Sequence, residues 1–166
     1  VLETFSTLIR KYSALYNVPE VWIKAVIMQE SSGNPNAYRA EPQINDASYG
    51  LMQILLRTAR NLGYEGESDG LYDPDTNINL GTKLLAELRQ SYGDDIQRVY
   101  SAYNSGKPDA YKTSNQVASN VQKVIIWIER FLKEEPLIAT SGSLGIILVV
   151  LLLWFWKKGK IAGYTT

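Results

Sequence analysis

Apolar residues recur every three or four positions through most of the first 135 residues, the period of a helix with one buried face. Leu8, Tyr12, Leu15 and Tyr16 mark a first such face. Pro19 opens a second helix, since its fixed φ suits a first turn, and Trp22, Ala25, Val26 and Met28 lead along it to Glu30. Residues 31–50 are rich in Ser, Gly, Asn and Pro and predict a loop. The stretch "SYGLMQILLRTARNLG" predicts a further helix that stops near Gly63, and "EGESDGLYDPD" predicts a turn-rich connection. Three more helical faces follow: Ile78, Gly81, Leu84, Leu85, Leu88 and Tyr92; then Ile96, Val99, Tyr100 and Tyr103; then Val117, Val121, Val124, Ile128, Phe131 and Leu132. With neither strand alternation nor an internal repeat, the expected fold class is mainly α.

The pattern changes after residue 135. No charge occurs from Leu137 to Trp156, and from Leu144 the run "LGIILVVLLLWFW" has no polar face. That length crosses roughly 30 Å of hydrocarbon as a helix. A buried core helix is the alternative, but a small domain would have to cover it on all sides. Trp154 and Trp156 suit the membrane interface, and Lys157, Lys158 and Lys160 suit the head groups. The expected organisation is a helical domain over residues 1–135, a linker over 136–143, and a transmembrane helix with a short basic tail over 144–166, the span starting as early as residue 137. Lys123, Arg130 and Lys133 balance the three lysines beyond the span, so the positive-inside count is a tie. The start "VLETFSTLIRKYSALY" has an early Glu3 and no basic region, unlike a secretory signal. Val1 fits removal of an initiator Met or earlier cleavage of a signal.

Composition narrows the chemistry. The 166 residues carry 17 basic and 17 acidic side chains. With no basic stripe, nucleic acid is not an expected partner. The chain has no Cys and no His. Their absence removes the usual zinc sites, cysteine nucleophiles, disulfides and any Ser-His relay. No phosphate-binding glycine motif occurs, and no cofactor or metal is expected. Acid-base work falls to carboxylates.

Glu30, in "MQESSGNPNAY", closes a helix whose preceding residues are mostly apolar. Its carboxyl therefore emerges beside the core, where loss of hydration and the negative helix end both favour the protonated form. Such an acid can protonate a leaving oxygen and then act as a base, the task a glycosidic bond sets. Taken alone, Glu30 reads first as a solvated helix-end residue or a cap for the loop that follows.

It does not stand alone. "MQESSGNPNAY" (28–38), "SYGLMQI" (48–54), "LYDPDTNINLG" (71–81) and "SAYNSG" (101–106) follow in order. Together they resemble the lytic transglycosylases of the soluble type, which have a lysozyme-like fold related to goose-type lysozyme. The resemblance covers roughly residues 5–130. It implies that Glu30 is the catalytic acid and base, with Ser31 beside it orienting substrate. It implies that Gly50, Leu51, Met52, Gln53 and Ile54 line the opposite side of the cleft, Gln53 contacting sugar substituents and Met52 packing beneath the glycan. Tyr103 and Asn104 match the aromatic wall and amide that face the glutamate. Asp73, Pro74, Asn77, Ile78 and Gly81 read as structural: a turn, a helix cap and a close packing point. Two departures stand out. Leu55 and Leu56 occupy positions where the family often has Pro, and Asn120 precedes Val121 where a Tyr commonly reaches the cleft. Tyr111, from the preceding loop, is the candidate replacement.

The resemblance also implies a mechanism. Glu30 protonates the bond between MurNAc and GlcNAc, then deprotonates the C6 hydroxyl that attacks C1, leaving a 1,6-anhydro sugar and needing no second carboxylate. A muramidase would need one to activate water. Asp46 is the nearest acid in sequence, with Glu41 behind it, and each reads equally well as loop solvation. A further alternative is a membrane-anchored structural protein that binds glycan without cutting it. The expected partners are peptidoglycan strands, membrane lipid around residues 137–156, and other membrane or virion proteins. A domain anchored this way meets the wall either from the periplasm or, as in phages with an internal membrane, from a virion that enters from outside.

Overall fold

A computed structural model of the protein describes residues 2–134. The linker, the uncharged run and the basic tail lie outside the described residues, and so does the membrane-span expectation. Among the described residues no helix is long and apolar enough to cross a membrane.

The helices are α1 (Ser6–Tyr16), α2 (Glu20–Ser31), α3 (Leu56–Asn61), α4 (Pro74–Tyr92), α5 (Ile96–Ser105) and α6 (Asn115–Glu134). α4 is the central element, packed by α1 and by α5, with α2 against α1. On α1 the buried face runs through Ile9 and Tyr12, continuing Phe5 before it, so Leu15 is left 62% exposed. Leu15 repeats at helical spacing yet lies off the face that meets α4. The expected cap residues do their work elsewhere: Asp73, read as a turn residue, caps α4 by accepting from the Thr76 N–H at 2.9 Å. Asp95 caps α5 in the same way.

The loop expected over residues 31–50 instead contains most of a small antiparallel sheet, β1 (Tyr38–Glu41), β2 (Asp46–Tyr49) and β3 (Ile54–Leu55), in the order β1-β2-β3. Tyr38 pairs with Tyr49, Glu41 with Asp46, and Ser48 with Leu55. Strands of two to four residues are too short to register as alternation, which is why periodicity missed them. The helix expected from Ser48 begins only at Leu56. Gly50 (φ 72°) and Gln53 (φ 50°) adopt left-handed backbone, which breaks any helix through them.

What holds this non-helical segment is Asn77. It does not cap a helix, as expected, but points from α4 into the core with no exposure at all. Its Oδ1 accepts from the Met52 N–H at 2.7 Å, and its Nδ2 donates to Tyr49 O at 2.8 Å and Leu71 O at 2.7 Å. A Cβ at Gly50 would lie 2.5 Å from the Asn77 amide nitrogen, so the glycine is required both by φ and by space. At Gly81 the close packing is with a side chain rather than a helix: a Cβ there would overlap the Met52 sulfur.

Replacing Asn77 by Ala leaves one buried donor and two carbonyls without partners. The expected loss is about 3 kcal/mol of stability. That corresponds to a melting temperature lower by on the order of 10 °C, measurable by thermal denaturation.

Candidate active site

A cleft of about 660 Å³ runs between the sheet and the helices, within the roughly 300–1,000 Å³ typical of ligand sites. Glu30 lines it from the end of α2; Arg39, Glu41, Ser48 and Leu55 line it from one face of the sheet. Tyr103 and Asn104 contribute from α5.

α2 delivers Glu30 because Trp22, Ile23, Ala25, Val26 and Ile27 bury the helix, and Ser32 ends it in left-handed backbone with its N–H on Met28 O. The carboxyl is thus carried at the helix's negative end, one residue before the chain turns away. Tyr100 donates to Glu30 Oε1 at 2.6 Å. Burial pushes the Glu30 carboxyl above its ordinary range, the Tyr100 hydrogen bond and the Arg39 charge pull it down, and the Glu41 charge pushes it up again. The carboxyl is therefore disposed to hold a proton while keeping a donor ready for its ionised form. Burial likewise raises Tyr100 and Tyr103, with Glu30's charge acting in the same direction, so both remain hydroxyl donors.

The expected site residues fall into two groups. Glu30, Gln53, Tyr103 and Asn104 line the cleft. Ser31, Gly50 and Met52 stand behind its wall. The Ser31 hydroxyl lies 2.7 Å from Leu51 O and 3.1 Å from Ile27 O, and it accepts from the Gly33 N–H. Gly50 and Met52 are buried, Met52 with no exposure. Gln53 is fixed by its amide donating to Ala37 O and Gly50 O, both at 3.1 Å. The partners its apolar surroundings demanded are therefore backbone carbonyls. Tyr103 donates to Met52 O at 2.8 Å and stacks on Tyr100 with ring centres 6.1 Å apart. Asn104 accepts from Asn120, which in turn accepts from Gln116, so Asn120 bears on the cleft through Asn104. Tyr111 does not line the cleft; it packs against the core.

Tyr100 and Arg39 were not singled out in the sequence. Tyr100 had a signal: it lies three residues before Tyr103 and four before Asn104, on one helical face. Arg39 had none, because its approach to the cleft depends on strand pairing. Asp46, the nearer acid in sequence, does not line the cleft; its carboxylate accepts from the Ala47 and Arg57 N–H groups at 2.8 and 3.2 Å.

Fold and cleft together define a lysozyme-like helical domain with one enclosed carboxyl. Residues 7–126 match the family model described as the transglycosylase SLT domain, and the chain belongs to that family. It is 32% identical over 111 residues to the soluble lytic murein transglycosylase of Escherichia coli K12, covering 61% of this chain and 16% of that one. It is 34% identical over 113 residues to the membrane-bound lytic murein transglycosylase C of Serratia proteamaculans, covering 60% and 30%. Among solved structures, the 70 kDa soluble lytic transglycosylase of Escherichia coli superposes with a TM-score of 0.62 at 26% identity, over 75% of this chain and 23% of that one. The chain thus spans less than a third of the length of these relatives.

Two outcomes follow from the Glu30 environment. In Tyr100→Phe the carboxylate loses a donor, so the Glu30 titration, followed by carboxyl carbon NMR, moves further upward; a downward move counts against the arrangement. The folded chain also holds the Glu30 proton to higher pH than the unfolded chain does, so stability is lost as pH rises through the folded value. Glu30→Gln removes that dependence. Its melting temperature should exceed the parent's at about pH 8, with the gap closing toward about pH 3, where the parent's carboxyl is protonated in both states.

Proposed function

We infer that this domain cleaves the β-1,4 bond between MurNAc and GlcNAc in peptidoglycan, and that Glu30 acts as both acid and base. The observation that carries the reading is the enclosed Glu30 carboxyl, with Tyr100 donating to it at 2.6 Å, in a cleft of about 660 Å³. Burial keeps the proton available for the leaving oxygen, and the tyrosine steadies the carboxylate once that proton has gone. The ionised Glu30 then takes the proton of the sugar's own C6 hydroxyl, whose oxygen bonds to C1. One carboxyl serves both halves, and the product is a 1,6-anhydro terminus. Gln53, Tyr103 and Asn104 form the surface against which the sugars lie. Membership of the transglycosylase SLT domain family supports this assignment.

In the same reading the uncharged segment 137–156 tethers the domain to a membrane and opens the wall locally, at an envelope membrane or from the membrane of a phage virion. Sucrose-gradient fractionation of cells and of purified virions tests that placement.

Glu30→Gln keeps the shape and the acceptor for Tyr100 but has no proton to give. Release of muropeptides from sacculi should fall about 10²- to 10⁴-fold while sedimentation with sacculi persists. Parent-level release by the variant overturns the assignment, and a parent that binds sacculi without releasing anything establishes the non-catalytic alternative.

A further inference from the structure

Two carboxylates besides Glu30 line the cleft: Glu87, exposed on α4, and Glu41, the one of the two whose charge acts on Glu30. Glu41 lies at the end of β1, and its cleft-lining position follows from strand parity: Arg39 and Glu41 share a face, across from Ser48 on β2. The side chain is held rather than free. Arg39 Nε donates to Glu41 Oε1 at 2.6 Å, and the buried Ser48 hydroxyl lies 3.4 Å from the same oxygen. Both contacts fall on Oε1, and no hydrogen bond among the described residues reaches Oε2. The Glu41 side chain is 25% exposed and its arginine 58% exposed, so solvent reaches the pair. Glu41 is also close enough for its charge to act on Glu30.

Glu30 and Glu41 differ in the way that acid-base pairs in glycosidases differ: one is enclosed and disposed to keep its proton, the other is paired with a cation and open to water. Resting on the glycosidic reading above, we propose that Glu41 positions and deprotonates a water for attack at C1, giving this cleft a hydrolytic route that competes with attack by the C6 hydroxyl. The water oxygen forms the new bond to C1 as the bond from C1 to the GlcNAc O4 breaks. Its proton passes to Glu41 Oε2, and the Glu30 proton passes to O4. Glu41 then releases its proton to solvent while Glu30 takes one back, so each cleavage consumes one water and leaves a reducing MurNAc. Asp46, facing Glu41 across the strands, is placed otherwise: it does not line the cleft, and each of its oxygens accepts a backbone N–H. Arg39 is a positioning residue: its Nε donates to the Glu41 carboxylate and holds it.

The two routes give termini that differ in mass by one water, and digestion of sacculi in ¹⁸O-enriched water labels only the hydrolysed one. Mass spectrometry of the muropeptides should find both termini from the parent. Glu41→Gln should lower the hydrolysed share relative to the anhydro share by about 10²-fold, and Arg39→Gln by less. Asp46→Asn should keep the parent's ratio. A general loss of structure lowers both products together and leaves the ratio unmoved, so a Glu41→Gln variant with the parent's ratio overturns the proposal. A parent that forms anhydro termini alone also overturns it and leaves the Glu30 reading standing; a parent that forms neither terminus overturns both.

Discussion

The buried amide of Asn77 is the contact on which the cleft depends. It grips the end of β2 at Tyr49 and the turn over residues 50–52 that follows, and it satisfies backbone groups that would otherwise be buried without partners. The same segment is then used from other sides. Leu51 O receives the Ser31 hydroxyl next to Glu30, and Met52 O receives the Tyr103 hydroxyl from α5. One side chain on the central helix thereby sets the relative positions of the acid, the aromatic wall and the floor. Gly50 and Gly81 follow from it: each leaves room that a methyl group would fill, one beside the amide and one beside Met52.

The electrostatics of the cleft come from opposed effects on one group. Burial and the helix end favour a protonated Glu30, while Tyr100 and Arg39 favour the ion. A carboxyl proposed to lose a proton and recover it in one turnover needs this balance more than a large shift either way. The cost is borne in stability, since an enclosed carboxyl resists ionisation at the pH where the protein folds. The sheet contributes charge and the helices contribute enclosure, so neither alone makes the site.

Much was legible from the chain. The periods of three and four through Ile78 to Tyr92 and through Val117 to Leu132 read as helices because a buried stripe on a long helix repeats often enough to be seen. Glu30 was legible for a related reason: an apolar helix run ending in an acid, followed by loop residues, leaves few places for the carboxyl. The segments around Gln53 and Tyr103 added the cleft's other walls, and the segment around Asn77 read as structural. The three-stranded sheet was not legible, since strands of two to four residues carry too few alternations. Nor was the distinction between Asp46 and Glu41, one residue tied to backbone N–H groups and the other facing the cleft.

By itself, then, the sequence determined the helical class and, with Cys and His absent, left acid-base chemistry to carboxylates; Glu30 was picked out among these by the resemblance of the ordered segments to a known family. The helical class and the restriction to carboxylates are properties of composition and local periodicity, and they need no partner from elsewhere in the chain. Only the tertiary structure decided that Tyr100 donates to Glu30, that Asn77 supports a loop rather than caps a helix, that Ser31 and Met52 stand behind the wall, and that Arg39 and Glu41 face the cleft. Each of these is a contact between residues distant in sequence or a consequence of strand register, and long-range geometry leaves no periodic trace in the sequence.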